Sequence, residues 1–407
     1  MAKEFRPDSA DALKEVVAGA LADGTPLEVV GAGSKEAFGR PLDLPRLRVD
    51  GLSGIGSYEP EELVMTAAAG TSMAEIEARL ADNRQQLAFE PADYGALLGG
   101  APGRGTIGGV LACNLSGPRR IKAGAARDHF LGLQAVTGRG ELIKAGGRVV
   151  KNVTGYDLCK LLAGSFGTLA VMTEVSVKVL PAAEETLTLL LAGLEPADGL
   201  GALRAAMASA HDVSGAAYLP AHAAACSTVL SAAGAAVAAV RLEGPGPSLR
   251  HRADALKDLL RLPGAEVGEL NTPGSQTLWR EVRDVALLPA ASLLWRISAP
   301  PAAGPALLEA LAPLRPQWLA DWAGGLLWLA LDDAATADLA DGGAATIRGA
   351  LAAHGGHVTL IRAAVELRAK IDVFQPQAEP LARLGVRVKE SFDPEHILNP
   401  GRMYRDV

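Results

Sequence analysis

Cysteine is scarce in this chain of 407 residues: Cys113, Cys159 and Cys226 are odd in number, far apart and never in a CxxC pair. That argues against a disulfide framework, a zinc site or an iron–sulfur cluster of the chain's own. Aromatic residues make up only 4%, no basic run is interleaved with them, and 39 basic residues stand against 46 acidic ones. Nucleic acid is therefore not an expected partner, and a substrate anion needs locally placed arginines. The N-terminus MAKEFRPDSADALKEVV lacks the apolar core of a signal peptide, so export is not expected and the cytoplasm is the expected compartment. The longest charge-free run, 213–240, lacks leucine-rich continuity and is interrupted by Pro220 and His222. It reads as a strand, a connection and a buried alanine-lined entry to the strand VAAVRLEG, not as a membrane span.

Glycine, by contrast, is plentiful at 46 residues. Four glycine-rich blocks alternate with apolar runs: TIGGVLACNLSG (106–117), GAARDHFLG (124–132), KNVTGYDL (151–158) and GSFGTLAVMTEVSV (164–177). Glycine lets the main chain take positive φ and approach a ligand closely, and unpaired amides in such turns bind anions such as pyrophosphate. The pattern describes a dinucleotide-sized cradle. A chain of this length divides into two or three domains, and its 49% hydrophobic and 21% charged content is that of a soluble globular protein.

Leu13, Val16, Val17 and Leu21 recur at helical spacing, which predicts a helix over 9–22 capped by Ser9 or Asp11. LEVVGAGS (27–34) reads as a buried strand ending in a glycine turn. LRVD (47–50) and LVMTAAAG (63–70) add short strands, and TSMAEIEARLADN (71–83) is a helix opening on Thr71. Gly31 and Gly33, with Asp50 further on, imitate half of a Rossmann fingerprint. The third glycine position is Glu36, however, and Pro41 and Pro45 stand where the crossover helix would run.

In order and wording these blocks, with the tail FDPEHILNPGRMY (392–404), resemble the FAD-binding domain of the vanillyl-alcohol oxidase and p-cresol methylhydroxylase superfamily. The fold implied is α+β, with a two-subdomain FAD-binding domain of the p-cresol methylhydroxylase type over 1–181. An α+β cap domain follows over 182–385, and a C-terminal segment, 386–407, returns to the FAD domain. By the same resemblance Gly31, Ala32, Gly33, Ser34 and Lys35 form the first pyrophosphate turn, and Thr106, Ile107, Gly108 and Gly109 the second. Asn114, Ser116 and Gly117 line the cofactor, joined by Gly124, Arg127 and Asp128 and then by Gly164, Gly167, Thr168 and Thr173. Asn399, Pro400 and Gly401 approach the isoalloxazine. Family members that tether FAD covalently use a histidine in the first glycine loop, a later cysteine, or a residue of the substrate domain. GAGSK has no histidine, so noncovalent FAD is expected, with Cys113 and His129 as the positions that keep a covalent link open. No metal site is expected.

After Pro181 the character changes, and all five tryptophans lie in the region that follows. Strand-like segments 186–194, 237–244, 293–300 and 325–332 alternate with helical ones at 198–210, 247–260, 304–314 and 346–355. Two β-α-β rounds of this kind suggest a ferredoxin-like α+β cap. Its chemistry-bearing residues are Trp279, Arg280 and Arg283, then Arg296, and the pair His354 and His357. An arginine fork suits a carboxylate and a histidine takes a proton near neutral pH. Arginines on a helix flank ordinarily pair with acids such as Glu281 or Asp284, and Gly355 and Gly356 between the histidines favour a helix end over a metal pair.

With RLEGPGPS and LWRISAPP added, the wording resembles the small FAD-binding subunits of bacterial glycolate oxidases over nearly the whole chain. That implies a complex in which a larger FAD-containing subunit, this second FAD-binding subunit and an iron–sulfur subunit oxidise glycolate to glyoxylate. Electrons leave toward a quinone-linked acceptor, and any association with the inner membrane is through the partners. HGGHVTL does not reproduce the HGDGN-type metal motif of the large catalytic subunits, which favours an electron-relay or assembly role. Two other readings remain open. One is a self-sufficient flavin oxidase or dehydrogenase of a small 2-hydroxyacid, in which Arg296 holds the carboxylate and His357 is the base. The other is an interaction protein whose cradle has lost FAD, against which the intact glycine and Asn399-Pro400-Gly401 segments argue.

Overall fold

A computed structural model describes residues 3–147, 155–332 and 339–407. They divide into two compact units: Met1–Ser116 with Gly124–Ala182 and Pro376–Val407, and Gly117–Ala123 with Ala183–Gln375. The KNVT part (151–154) of the third glycine block lies outside the described residues.

In the first unit, β1 (Glu4–Phe5), β2 (Glu28–Val30) and β3 (Arg46–Arg48) form a parallel sheet in the order β1-β3-β2. Helix α1 (Ala10–Ala22) follows from its apolar spacing, which buries Leu13, Val17 and Ala20 in one core with Leu27, Leu47, Val136 and Leu398. Ser9 starts it, its Oγ accepting from the Ala12 amide at 3.2 Å.

A second sheet is antiparallel, in the order β4-β5-β9-β7-β8, from β4 (Ile55–Glu59), β5 (Val64–Ala68), β7 (Phe130–Thr137), β8 (Leu142–Gly146) and β9 (Ala170–Lys178). A short ribbon pairs β6 (Gln85–Gln86) with β10 (Leu180–Pro181). Helix α2 (Met73–Ala81) begins one residue later than expected. Ser72, not Thr71, is its cap: Ser72 Oγ accepts from the Glu75 amide at 3.2 Å, which places Glu75 in the acidic slot of an S-x-x-E pattern. The Thr71 hydroxyl instead donates to Ala68 O at 2.7 Å and accepts from the Gly54 amide at 2.9 Å. Helices α3 (Ile107–Ala112), α5 (Ala126–His129) and α6 (Leu158–Leu162) complete this part of the unit.

The second unit, which includes α4 (Arg120–Ala123), is built on one eight-stranded sheet. The chain enters through β11 (Glu185–Ala192), α7 (Pro196–Ala208), β12 (Gly215–Leu219), the short helix α8 (Ala221–Cys226), β13 (Val237–Gly244), α9 (Gly246–Leu259) and β14 (Glu266–Leu270). After α10 (Thr272–Arg283) the order repeats: β15 (Leu293–Ser298), α11 (Gly304–Leu311), β16 (Gln317–Asp321), β17 (Leu326–Leu331), α12 (Ala344–Ala352) and β18 (His357–Arg362). The sheet order is β14-β11-β13-β12-β16-β17-β15-β18, antiparallel throughout. Each half is a β-α-β-β-α-β unit with its fourth strand beside its first, the ferredoxin-like arrangement, and the two halves join where β12 pairs β16 at Tyr218 and Ala320. The sequence reading found three strands of the first half and two of the second, missing β14, β16 and β18. In β14, EVGEL, and β18, HVTLIR, turn and charged residues dilute the apolar pattern.

Helix α13 (Val365–Lys370) closes the second unit, and the chain rejoins the first at Pro376 rather than at 386. The reason is that α14 (Glu379–Phe392) is one continuous helix anchored in the first unit. Its Lys389 is wholly buried, donating to Thr168 O at 2.6 Å and Leu398 O at 2.8 Å and pairing with Asp393 at 2.6 Å. Asp393 also accepts from the amides of Ile397 and Leu398 at 2.9 and 2.8 Å, so the charge of the pair is met on every side.

Candidate functional site

A cleft opens inside the first unit where the turn after β2 faces the start of α3. The facing turns require glycine. A Cβ on Gly31 would lie 2.6 Å from Thr106 Oγ1, and one on Gly33, which holds φ +82°, would lie 2.7 Å from Glu36 Oε1. Thr106 caps α3, its Oγ1 accepting from the Gly109 amide at 3.2 Å, and Gly108 packs so tightly on Ala69 that a Cβ would meet its carbonyl at 2.7 Å. Strand β9 supplies a third wall through Ala170, Val171 and Met172, with Phe166 and Gly167 just before it, and the C-terminal segment adds Asn399 and Arg402.

Among the residues singled out in the sequence, Gly31, Ala32, Gly33, Ser34, Lys35, Thr106, Gly108, Gly109, Gly167 and Asn399 line this one cleft. The others stand around it or away from it. Ile107 is buried in the core. Asn114 Oδ1 accepts from the Arg127 amide at 3.0 Å, Ser116 Oγ from Ala126 at 2.9 Å and Asp128 Oδ2 from Ala125 at 2.8 Å, so this stretch is knitted to itself across the Gly124 turn. Gly117 belongs to the second unit. Gly164 and Gly401 hold positive φ in turns, and Thr168 donates to Ser165 O at 2.7 Å. Thr173 Oγ1 is buried with no hydrogen-bond partner among the described residues.

Asn399 acts on main chain. Its Oδ1 accepts from the Val29 amide at 2.7 Å and its Nδ2 donates to Phe166 O at 2.7 Å, stapling the end of β2 to the turn before β9. Arg402, which sequence reasoning passed over, donates to Glu36 O at 3.2 Å and Arg40 O at 3.1 Å and pairs with the buried carboxylate of Glu28. Phe38 was also missed. It packs edge-on against Phe166, ring centres 4.9 Å apart, and nothing in its sequence setting marked it.

Lys35 projects into the cleft with Ser34 Oγ at 3.1 Å as its hydrogen-bond acceptor. Burial pushes its pKa down, with smaller opposing effects from Cys113 and Asp93. A cradle of glycine turns around one such ammonium fits a diphosphate. Cys113 also lines the cleft, and burial raises its thiol to about 11, so it stands protonated at neutral pH. His129 is buried beside Phe89, ring centres 5.4 Å apart, and does not line the cleft.

Arg296 and His357 lie in the second unit, on adjacent strands. In β15 the alternation turns Trp295 and Ile297 to one face, where Trp295 Nε1 donates to Gly342 O at 3.0 Å. Arg296 and Ser298 point to the other, and the register places Trp328, Thr359 and His357 beside them. The guanidinium of Arg296 lies 5.2 Å from the Trp322 ring centre, and that of Arg120, from α4, lies 4.7 Å from the same ring. His357 has an exposed outer edge, yet its pKa falls below the usual histidine value, through partial enclosure first and then the charges of Arg296 and Arg120. Of the other candidates, Trp279 Nε1 donates to Thr188 Oγ1 at 2.9 Å and Arg283 pairs with Asp284 at 2.7 Å, while Arg280 is exposed and its neighbour Glu281 accepts from Ser227 Oγ at 2.6 Å. Among the described residues no group of three His, Cys, Asp or Glu is placed to hold a metal, and no helix is long and apolar enough to cross a membrane.

A family model described as an FAD binding domain matches residues 2–146. Glycolate oxidase subunit GlcE of Escherichia coli is 35% identical over 98% of this chain and 99% of its own length. Glycolate oxidase subunit GlcD of Bacillus subtilis is 46% identical over 85 residues, 21% of this chain and 18% of that one. Among solved structures, p-cresol methylhydroxylase superposes with a TM-score of 0.73 at 13% identity, covering 99% of this chain and 89% of the other. The 4-ethylphenol oxidase of Gulosibacter chungangensis gives 0.69 at 16% identity, covering 98% and 88%. The fold is therefore the mixed α and β architecture of p-cresol methylhydroxylase-type FAD-binding proteins.

Proposed function

Because this chain belongs to the FAD-binding oxidoreductase family of glycolate oxidase subunit GlcE, we propose that it is the FAD-binding subunit of a complex that oxidises glycolate to glyoxylate. The observation that carries this is the full-length match to that subunit, together with a glycine cradle closed around a single ammonium. The diphosphate lies between Gly31–Lys35 and Thr106–Gly109, held by turn amides, the Ser34 hydroxyl and Lys35. Asn399 keeps the walls in register. The flavin is bound noncovalently, since the one thiol lining the cleft, Cys113, is held protonated. Bound flavin supplies the capacity to accept the two electrons that leave an α-hydroxyacid with its α-hydrogen. The partners are a larger FAD-containing subunit and an iron–sulfur subunit. The chain works in the cytoplasm and meets the inner membrane only through them.

The cluster in the second unit supports a second reading, in which the chain oxidises a small 2-hydroxyacid by itself. Arg296, with Arg120 beside it, holds the substrate carboxylate, and the neutral ring of His357 takes the hydroxyl proton as the α-C–H bond breaks. The purified chain, reconstituted with FAD and mixed anaerobically with glycolate or D-lactate, separates the two. Flavin bands that persist assign turnover to the assembled complex, whereas rapid bleaching assigns it to this chain. A folded protein that takes up no FAD refutes both readings.

A further inference from the structure

The hairpin that joins β16 to β17 is strained in a way its own sequence does not require. Its loop runs from Trp322 to Gly325, and three successive residues hold the left-handed region: Trp322 at φ +53°, Ala323 at +55° and Gly324 at +96°. Left-handed hairpin positions ordinarily carry glycine or asparagine, and a bulky side chain there is an outlier that costs free energy. The same loop has Gly324 and Gly325, yet a tryptophan stands at its first position. Strain of this kind persists where the surroundings over-determine it, and it gathers at ligand sites. Here the Trp322 amide donates to Asp321 Oδ1 at 2.7 Å, its carbonyl accepts from the Gly325 amide at 3.0 Å, and Nε1 donates to Gly117 O at 3.2 Å. The indole so aimed is buried and meets two cations, the Arg120 guanidinium 4.7 Å and the Arg296 guanidinium 5.2 Å from its ring centre. Strand β15 sets Arg296 in place, and the register with β18 brings His357 beside it. Arg120 comes instead from α4, in the segment 117–123. That segment is tied to the second unit by Arg119 pairing with Glu243, by Lys122 pairing with Asp212, and by Trp322 at Gly117 O and Arg120. Of these ties, Trp322 is the one that also meets Arg296.

We propose that Trp322 is a positioning residue: its left-handed turn aims the indole so that Arg120 is held beside Arg296 and His357, and two arginines from distant parts of the chain make one carboxylate site. The inference rests on the second reading given above, in which this cluster binds a 2-hydroxyacid. In this role the indole touches no reacting atom. It fixes the spacing of two positive charges that repel one another. A carboxylate bound there offsets the repulsion, so the energy spent in holding the charges together appears as affinity for the anion.

The His357 ring reports on this arrangement, because the charges of Arg296 and Arg120 act on it. Its titration in the full chain is followed by histidine-selective NMR, the signal assigned by its loss in His357→Gln. Arg120→Gln is expected to raise the His357 midpoint in the wild-type background and to leave it almost unmoved in Trp322→Gly, which removes the ring and takes positive φ freely. Trp322→Phe keeps a ring face and is expected to restore the Arg120 effect, while Trp322→Asn is a second ringless variant that tolerates the turn. A side chain that only filled space would shift the midpoint without abolishing its dependence on Arg120. Oxalate, of glycolate's size and with no α-hydrogen to lose, is expected to raise the same midpoint in the wild type. It should bind Trp322→Gly roughly tenfold or more weakly, the loss of one charge-assisted contact. An Arg120 effect that survives in both ringless variants, or oxalate binding equal in wild type and Trp322→Gly, overturns the positioning role and leaves the second reading standing. Oxalate that moves no His357 signal in the folded wild type overturns the second reading and this inference with it.

Discussion

Replacing Asn399 with alanine removes a staple between two walls of the cleft, and its cost can be worked out from the bonds it makes. The side chain is 2% exposed and satisfies two main-chain groups, the Val29 amide at 2.7 Å and the Phe166 carbonyl at 2.7 Å. Leaving a buried backbone donor or acceptor unmet costs about 1–3 kcal/mol each. Asn399 also holds φ +44°, a region asparagine tolerates and alanine does not, which adds about 1 kcal/mol. The expected destabilisation is therefore about 3–7 kcal/mol, local to the two walls that the staple joins. Asn399→Gly relieves the backbone strain but keeps both losses, so it should fall about 1 kcal/mol short of alanine. Asn399→Asp keeps the bond to Val29 and sets a carboxylate oxygen against the Phe166 carbonyl. Urea titration followed by tryptophan and flavin fluorescence reads the stability, and FAD titration reads the site. The reasoning fails if Asn399→Ala lies within about 0.5 kcal/mol of wild type and binds FAD with unaltered affinity, the range of an ordinary surface substitution.

Other substitutions probe different parts of the molecule. Lys389→Met should destabilise the first unit by about 3–5 kcal/mol, because it strands the wholly buried Asp393 carboxylate and two carbonyls; a Lys389→Met/Asp393→Asn double variant less stable than the single one contradicts this. Gly31→Ala should weaken FAD binding while leaving the second unit intact, since the new Cβ displaces the Thr106 hydroxyl that caps α3; an unchanged affinity counts against the facing-turn site. At pH 8, iodoacetamide should modify exposed Cys226 in minutes and spare Cys113 and Cys159, whose thiols burial raises to about 11; peptide mass mapping checks the order. If His357 is the base, it must be neutral to act, and its pKa is lowered. Turnover by the competent assembly then survives acidification past the ordinary histidine value, falls as pH drops through the lowered one, and loses that limb in His357→Gln; an identical acid limb in the variant rules the role out.

What could be read from the sequence was what depends on neighbours along the chain. The Leu13–Val17 stripe and the glycine turns at 31–33 and 106–109 are local patterns that the structure places as read, and of the two caps offered, Ser9 and Asp11, it takes Ser9. Distant pairings left no such mark. Arg402 reaches Glu28 and Asn399 reaches Val29 across 374 and 370 residues, so a lone arginine and a lone asparagine acquire their roles only when the chain returns. The family resemblance makes Asn114, Ser116 and Asp128 cofactor contacts, whereas their side chains accept from the nearby amides of Arg127, Ala126 and Ala125, bonds that local spacing did not mark. In the second unit, fourth strands with mixed polar character stayed hidden until their partners supplied the register.

The doubled sheet also decides what the protein exposes to its own copies. A single ferredoxin-like half ends in two strands with unpaired amides and carbonyls, and two separate halves would offer four such lines to any other chain. Joining β12 to β16 removes two of them from solvent at the seam. Of the remaining pair, β18 is shielded where Val373 O accepts from the Leu360 amide at 2.8 Å, and β14 carries Glu266 and Glu269, with Lys257 drawn across to the latter. Fusion of the halves thus leaves β14 and β18 as the outer strands of one sheet, and separating them between α10 and β15 would expose β12 and β16 as edges as well.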